Sequence, residues 1–398
     1  MPSDAPAGES RREADFRPVI LLTGVFFFNF IGRIIMPPFL MGIEEEFAVS
    51  HLQAGQLFLI MSLGFGLSLL LSGFAARALE HRKTIILSAF AVGAGMLLLS
   101  RVESFGLFRV ALFCTGIGCG LYLPSGISTV TSLLAKEHWG KGLAIHEMAP
   151  NLSFILAPAV AAAVEGLLTW RSVFAGFGLA SLLMALIFLR FGRGGRFSGE
   201  APRPAVVAQV AGKAQFWVLG GLFGLAVSAT FGIYSMLPLF LVDVHGFESA
   251  AANGLVSSSR VPCLLMALAA GWIVDRIGPK KTVLMALGGS GLITVLLGLS
   301  QGLPLKAAVL MQPILAVGFF PAGFTAISRT FPFHVRNVAV SFIIPLAVFF
   351  GTGLVPTALG WFADVGRFAL GFISLGCVLC LGMNLVHFLR FQDSEEST

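Results

Sequence analysis

Apolar stretches of roughly 17 to 30 residues follow one another along nearly the whole chain, separated by short polar interruptions. A hydrocarbon core about 30 Å thick takes about 20 helical residues, so each stretch predicts one crossing. Twelve are expected, at 18–41, 53–74, 84–100, 105–134, 142–165, 171–191, 216–242, 250–274, 282–300, 304–328, 337–360 and 367–390. The runs are continuous and do not alternate at every second residue, which excludes the strands of a lipid-facing barrel. Helices satisfy their own backbone hydrogen bonds in lipid, so an all-α membrane protein follows. Only 192–214 breaks the series, with Gly192-Arg193-Gly194-Gly195-Arg196 and then Pro202 and Pro204. The organisation expected is therefore an N-tail (1–17), a six-helix bundle (18–191), a linker (192–214), a second six-helix bundle (215–390) and a C-tail (391–398).

Composition supports lipid as the solvent. The 398 residues are 56% hydrophobic and 12% charged, against roughly 25% charged in soluble domains. Forty-seven glycines allow close helix approach where no hydrophobic drive acts between helices. The net charge of +6 is a topology signal and gives no support to a nucleic-acid partner. With the N-terminus cytoplasmic, nineteen Lys/Arg fall on the cytoplasmic side and four (Arg101, Arg171, Lys306, Arg367) outside. Basic residues stay inside, so both termini are expected in the cytoplasm and the chain in the inner membrane. The polar N-tail, with Arg11, Arg12 and Arg17, followed by a full-length first span, argues against a cleavable signal. All five cysteines lie in apolar runs, and the Cys377/Cys380 pair stacks on one helix face, as packing residues do. No metal-ligand cluster or nucleotide loop is present in the sequence, so an enzyme is not expected.

The loop between spans 8 and 9 reads Gly271-Trp-Ile-Val-Asp275-Arg276-Ile-Gly278-Pro-Lys280-Lys281. It resembles the cytoplasmic loop signature of the major facilitator superfamily. The equivalent loop between spans 2 and 3 keeps the spacing, Gly73-Phe-Ala-Ala-Arg77-Ala-Leu-Glu80-His81-Arg82-Lys83, but Arg77 replaces the Asp and Glu80 the second Gly. Arg109 with Gly116-Ile-Gly118-Cys-Gly120 in span 4, and Trp170-Arg171 before span 6, are similar to further family features. The resemblance covers roughly residues 18–390. It implies two pseudo-symmetric bundles that rock about a midplane site, giving alternating access. It also implies a gating role for Gly271, Asp275, Arg276 and Gly278, and a cavity lined by spans 1, 4, 7 and 10.

Three cations remain inside spans: Arg33, Arg109 and Arg260. A charge there is costly and usually faces a wet cavity or a partner. Arg33 lies about 22 Å along span 1 and Arg260 about 15 Å from the outer end of span 8, so their depths are similar. One comes from each half. Organic-anion members of the superfamily often carry Asp-Arg near the first position; here the Asp place is Gly32. Asn29 sits one turn from Arg33. Tyr122 and Tyr234 are the only tyrosines, against 38 Phe, so their hydroxyls are expected to make specific hydrogen bonds. With Gln312 in span 10 they complete the candidate substrate contacts. Arg109 lies near the outer end of its span and can snorkel into a structural role. Glu147, expected to be a buried carboxylate, and His146 are the candidate proton-coupling pair.

Arg33, Arg109, Arg260 and Glu147 sum to +2, which an anion would offset. The leading expectation is a monomeric carrier of a small organic anion such as a carboxylate, with possible proton coupling and no other cofactor. An exporter of amphipathic compounds and a non-transporting receptor or scaffold are the alternatives.

Overall fold

The computed structural model describes residues 15–201 and 203–391. Arg11, Arg12 and most of the N-tail, Pro202, and the C-tail from residue 392 lie outside the described residues. Among the described residues, eleven helices are long and apolar enough to cross a membrane. One of them, His51–Leu99, has 49 residues and is turned at Glu80. It supplies spans 2 and 3, so the crossings number twelve. The described chain ends lie at one end of the bundle, here called proximal. There the Phe16 ring packs edge-on against His138, and the Arg390 N–H donates to Gln215 Oε1 at 3.0 Å. The other end is called distal.

Span 1 departs from the continuous helix expected over 18–41. The α-helix is Arg17–Ile34, followed by a 3-10 turn at Pro37–Phe39 and a short helix at Leu40–Phe47. Pro37 and Pro38 cause the break, because proline lacks the donor the ladder needs and restricts the residue before it. The short helix is tied down at Glu46, whose carboxylate accepts from Trp170 Nε1 (2.7 Å) and Arg171 Nε (2.6 Å). This gives Trp170-Arg171 a structural reason. Spans 7 and 11 each contain a π turn, Ser228–Gly232 and Phe349–Leu354, and Gly351 packs against the first of them.

The two loops aligned by spacing share one backbone conformation. Gly278 has φ 83° and ψ 159°; Glu80, seven residues after Gly73 as Gly278 is after Gly271, has φ 70° and ψ 156°. That region belongs almost wholly to glycine and costs another residue about 1–3 kcal/mol. The linker pays that cost. Its Phe197 and Gly195 carbonyls accept from the His81 and Arg82 N–H groups, Gly199 N–H donates to Ala76 O, and the Arg82 guanidinium donates to the Gly192 and Leu189 carbonyls. Part of the predicted linker is thus a clasp on the first half. Glu80→Gly should stabilise the protein by about 1 kcal/mol, seen as a higher melting midpoint in detergent. A lower midpoint would mean that the Glu80 side chain contributes more than its strain costs.

Every hydrogen bond joining the two halves, among the described residues, lies in the distal half of the bundle. Asn253 Nδ2 donates to Pro38 O (3.2 Å), Ser257 Oγ to Ile155 O (2.8 Å) and Thr357 Oγ1 to Gly55 O (3.3 Å), while Ser62 and Thr352 hydroxyls meet at 2.6 Å. The distal end is closed.

Candidate functional site

Beneath that closure a small cavity lies between the halves. Arg33, Phe58, Ser62 and Phe65 line it from the first half; Phe231, Tyr234, Ser235 and Thr352 line it from the second. The break after Ile34 leaves Arg33 on the last turn of its helix, one helical turn beyond Phe30. Its Cζ stands 3.8 Å from the centroid of Phe65, 5.2 Å from Phe30 and 5.4 Å from Phe231. The ring faces offset part of the cost of desolvating the charge. No carboxylate pairs with it among the described residues.

Arg260 is only 4% exposed and sits one layer behind the wall. Its Cζ lies over Phe154 (4.8 Å) and Tyr234 (5.0 Å), its Nη2 donates to Thr230 O at 3.4 Å, and its Nε has no acceptor. One aromatic layer joins the two cations: Phe30 to Phe231 at 5.8 Å, Phe231 to Phe154 at 5.0 Å, and Phe154 to Tyr234 at 4.9 Å. The similar depth inferred from helical rise is therefore found, but only Arg33 reaches the cavity directly. Tyr234 does both jobs. Its ring separates Arg260 from the cavity and its hydroxyl donates to Ile34 O across the halves (3.3 Å).

Besides Arg260, three of the candidate substrate contacts are not brought to the cavity wall. Asn29 Nδ2 donates to Ser88 Oγ (2.9 Å) and Cys119 O (3.3 Å), inside the first bundle. Gln312 Nε2 donates to Ala229 O (2.9 Å), satisfying a carbonyl in the π turn of span 7. The Tyr122 hydroxyl donates to Leu22 O (2.9 Å) and lies 3.0 Å from His146 Nε2. Arg109 Nη2 donates to Gln56 Oε1 at 2.8 Å and its Cζ lies over Phe105, as a structural cation would.

His146 is fully buried and stacked on Phe26 at 4.4 Å. Since the Tyr122 O–H is committed to Leu22 O, that hydroxyl accepts from His146 Nε2–H. His146 Nδ1 has no hydrogen-bond partner and lies 3.6 Å from Glu147 Oε1. Glu147 itself corrects the sequence reading. Its side chain is 56% exposed, because the helix of span 5 breaks there between Trp139–His146 and Met148–Val164. Of the gating candidates, Gly278 needs its positive φ, Gly271 has open space around it, and Arg276 lies over Trp272 at 4.2 Å. Asp275 is exposed at the proximal surface.

Sequence reasoning missed Ser62, Phe65, Phe231 and Thr352. Among 38 phenylalanines nothing marks two of them. The glycines around Thr352, in Phe-Phe-Gly-Thr-Gly-Leu, were an available sign of irregular helix, and π turns recur at functional sites.

Two six-span halves closing over an unpaired cation in a central cavity are the build of an alternating-access membrane transporter. The chain belongs to the Major Facilitator Superfamily, whose family model matches residues 21–260 and 251–398. It is 22% identical over 382 residues to a gallate transporter of Pseudomonas putida, covering 86% of this chain and 80% of that protein. It is also 22% identical over 290 residues to a nitrite extrusion protein of Bacillus subtilis (strain 168), covering 71% of each. Among solved structures, a bacterial homolog of the human lysosomal transporter Spinster, inward-facing and occupied, superposes with a TM-score of 0.79 at 16% identity, covering 94% of this chain and 98% of that one. A D-xylose-proton symporter gives 0.76 at 16% identity, covering 96% and 99%. The protein is a multi-pass membrane transporter of small molecules and not an enzyme.

Proposed function

We propose that the protein carries a small organic anion, a carboxylate, across the inner membrane as a proton-coupled monomer with both termini in the cytoplasm. The observation that carries this reading is Arg33: a guanidinium on the cavity wall with no carboxylate partner. A cation left unpaired within a membrane span is costly, and an entering carboxylate offsets that cost with two parallel N–H···O bonds. Phe65, Phe231 and Tyr234 suit a flat apolar body behind that carboxylate, while Ser62, Ser235 and Thr352 supply hydroxyls. Arg260 adds positive potential from the second half without touching the ligand. Relatives named for gallate and nitrite, both anions, agree with this charge preference.

His146 is the proton site in this reading. It stacks on Phe26, which lies on the same face of span 1 as Phe30 and Arg33, since the three follow at helical spacing. Its unpartnered Nδ1 faces the exposed carboxylate of Glu147, which relays the proton from water. Reconstituted protein is expected to accumulate a carboxylate when a pH gradient is imposed. With His146→Gln, accumulation should stop responding to the gradient while carboxylate exchange between the two sides persists. Gradient-driven accumulation by that variant would remove His146 from the mechanism. Preferential transport of cationic amphiphiles would favour the exporter reading instead.

A further inference from the structure

The distal end holds a titratable cluster that the cavity chemistry leaves unused. His51 is the first residue of span 2, in the first half. Its Nδ1 lies 3.0 Å from both carboxylate oxygens of Glu44, on the short helix Leu40–Phe47. Its Nε2 points across the interface, 3.9 Å from Asp243 Oδ1 at the end of span 7. Asp364, ending span 11 in the second half, accepts from the backbone N–H groups of His51 (2.9 Å) and Leu52 (3.2 Å). A carboxylate of one half thus caps a helix of the other. Phe368 stacks against the imidazole from the second half at 6.3 Å. The charged groups facing His51 are Glu44, Asp243 and Asp364, and among the described residues no Lys or Arg offsets them.

We propose that His51 is a protonation site that latches the distal ends of the two halves together. Neutral imidazole has one N–H and can donate to Glu44 or toward Asp243, but not to both. Imidazolium presents an N–H to each at once, donating to Glu44 and attracting Asp243 across 3.9 Å, and its charge reduces the repulsion among three clustered carboxylates. Without that proton the cluster carries three negative charges, divided between one on the first half and two on the second. The closed state then loses the imidazolium's share of the cross-interface attraction, and repulsion favours separation.

Burial pushes the Glu44 carboxyl up from its ordinary range, against the opposing pull of His51. Acid therefore acts on both members in one direction, since protonating either lowers the repulsion. Closing the distal end takes up a proton: the latch holds below the titration of His51 and weakens as pH rises through it. His51 belongs to the distal surface, with 27% of its side chain exposed, so its proton comes from the distal compartment. It is a separate proton from any taken up at His146 beside the cavity. The proposal rests on the alternating-access reading but not on the anion.

The test uses full-length protein in lipid nanodiscs without substrate, its five native cysteines replaced by serine. Spin labels at Glu103→Cys and Gln301→Cys, exposed in distal loops of opposite halves, report the distance between the halves. Between about pH 5 and 8, where imidazole changes charge, the short-distance population is expected to dominate in acid. Its ratio to the long-distance population should fall by up to about tenfold per pH unit near the transition. His51→Gln should remove most of this dependence, and His51→Lys, with its fixed charge, should keep the ends closed throughout. Glu44→Gln should shift the dependence and covers the case in which a His51 variant does not fold. A wild-type distribution unchanged with pH would overturn the latch, as would wild-type pH dependence in both His51 variants. Arg33→Gln, which tests the anion reading, should leave this response intact, so the two ideas fail separately.

Discussion

Arg33→Gln is expected to weaken carboxylate binding and transport sharply while leaving the empty protein folded. The guanidinium supplies the direct charged contact on the cavity wall, and hydrogen bonds to a charged group contribute about 1.5–3 kcal/mol each. Losing about 2–3 kcal/mol weakens binding roughly 30- to 150-fold. Arg33→Lys keeps the charge and loses the planar fork, so an intermediate affinity is expected. The empty variant should melt no lower than wild type, because among the described residues Arg33 has no carboxylate partner to orphan and is held by ring faces. A structural cation would behave in the opposite way, destabilising when removed and leaving affinity alone. Thermal shift in the presence and absence of carboxylate, with uptake in proteoliposomes, measures both quantities. Wild-type uptake by Arg33→Gln would end the anion reading. Arg260→Gln should cost less, since Arg260 acts on the cavity only through Tyr234 and Phe154.

The second large effect is expected at the distal seam. A Cβ on Gly360 would fall 2.2 Å from His51 O, and one on Gly55 would fall 2.5 Å from Pro356 O. Both obstacles are backbone atoms of the opposite half, which cannot yield unless the halves separate. Gly360→Val should therefore leave each bundle intact and disfavour the closed distal state. Overpacking costs about 1–3 kcal/mol, a shift of roughly 5- to 150-fold toward the distal-open population. Uptake should fall accordingly, while thiol labelling at a distal position, such as Glu103→Cys in a cysteine-free background, should rise. Wild-type transport by Gly360→Val would show that the seam is looser than the structure has it.

These two sites differ in how far they could be read from sequence. Arg33 announced itself because lipid makes any intramembrane charge conspicuous. The same rule found Arg260 and Arg109, yet it could not distinguish a cation on the cavity wall from one behind Tyr234 or one bonded to Gln56. The scarcity of tyrosine correctly implied that both hydroxyls are bonded. Their acceptors, Leu22 O and Ile34 O, could not be read, because a backbone carbonyl carries no sequence signature. Glu147 was misjudged as buried for a related reason: hydropathy places a residue along a span, not around it or at a helix break. Gly55 and Gly360 stood unmarked among 47 glycines, since close approach to another chain segment is a property of the pair.

The number of crossings, the two-half organisation and the seven-residue correspondence of Gly73–Glu80 with Gly271–Gly278 all followed from sequence. Hydrophobic length, basic-residue placement and local spacing are one-dimensional quantities, and the bilayer constrains each of them directly. Facing is not one-dimensional. Prolines broke span 1 beside Arg33, and π turns in spans 7 and 11 altered the helical register around Phe231 and Thr352. Only the packing of the two halves decided which polar groups reached the cavity and which His and Asp residues met at the distal end. Those contacts join residues as much as 313 positions apart, where no local pattern relates one to the other.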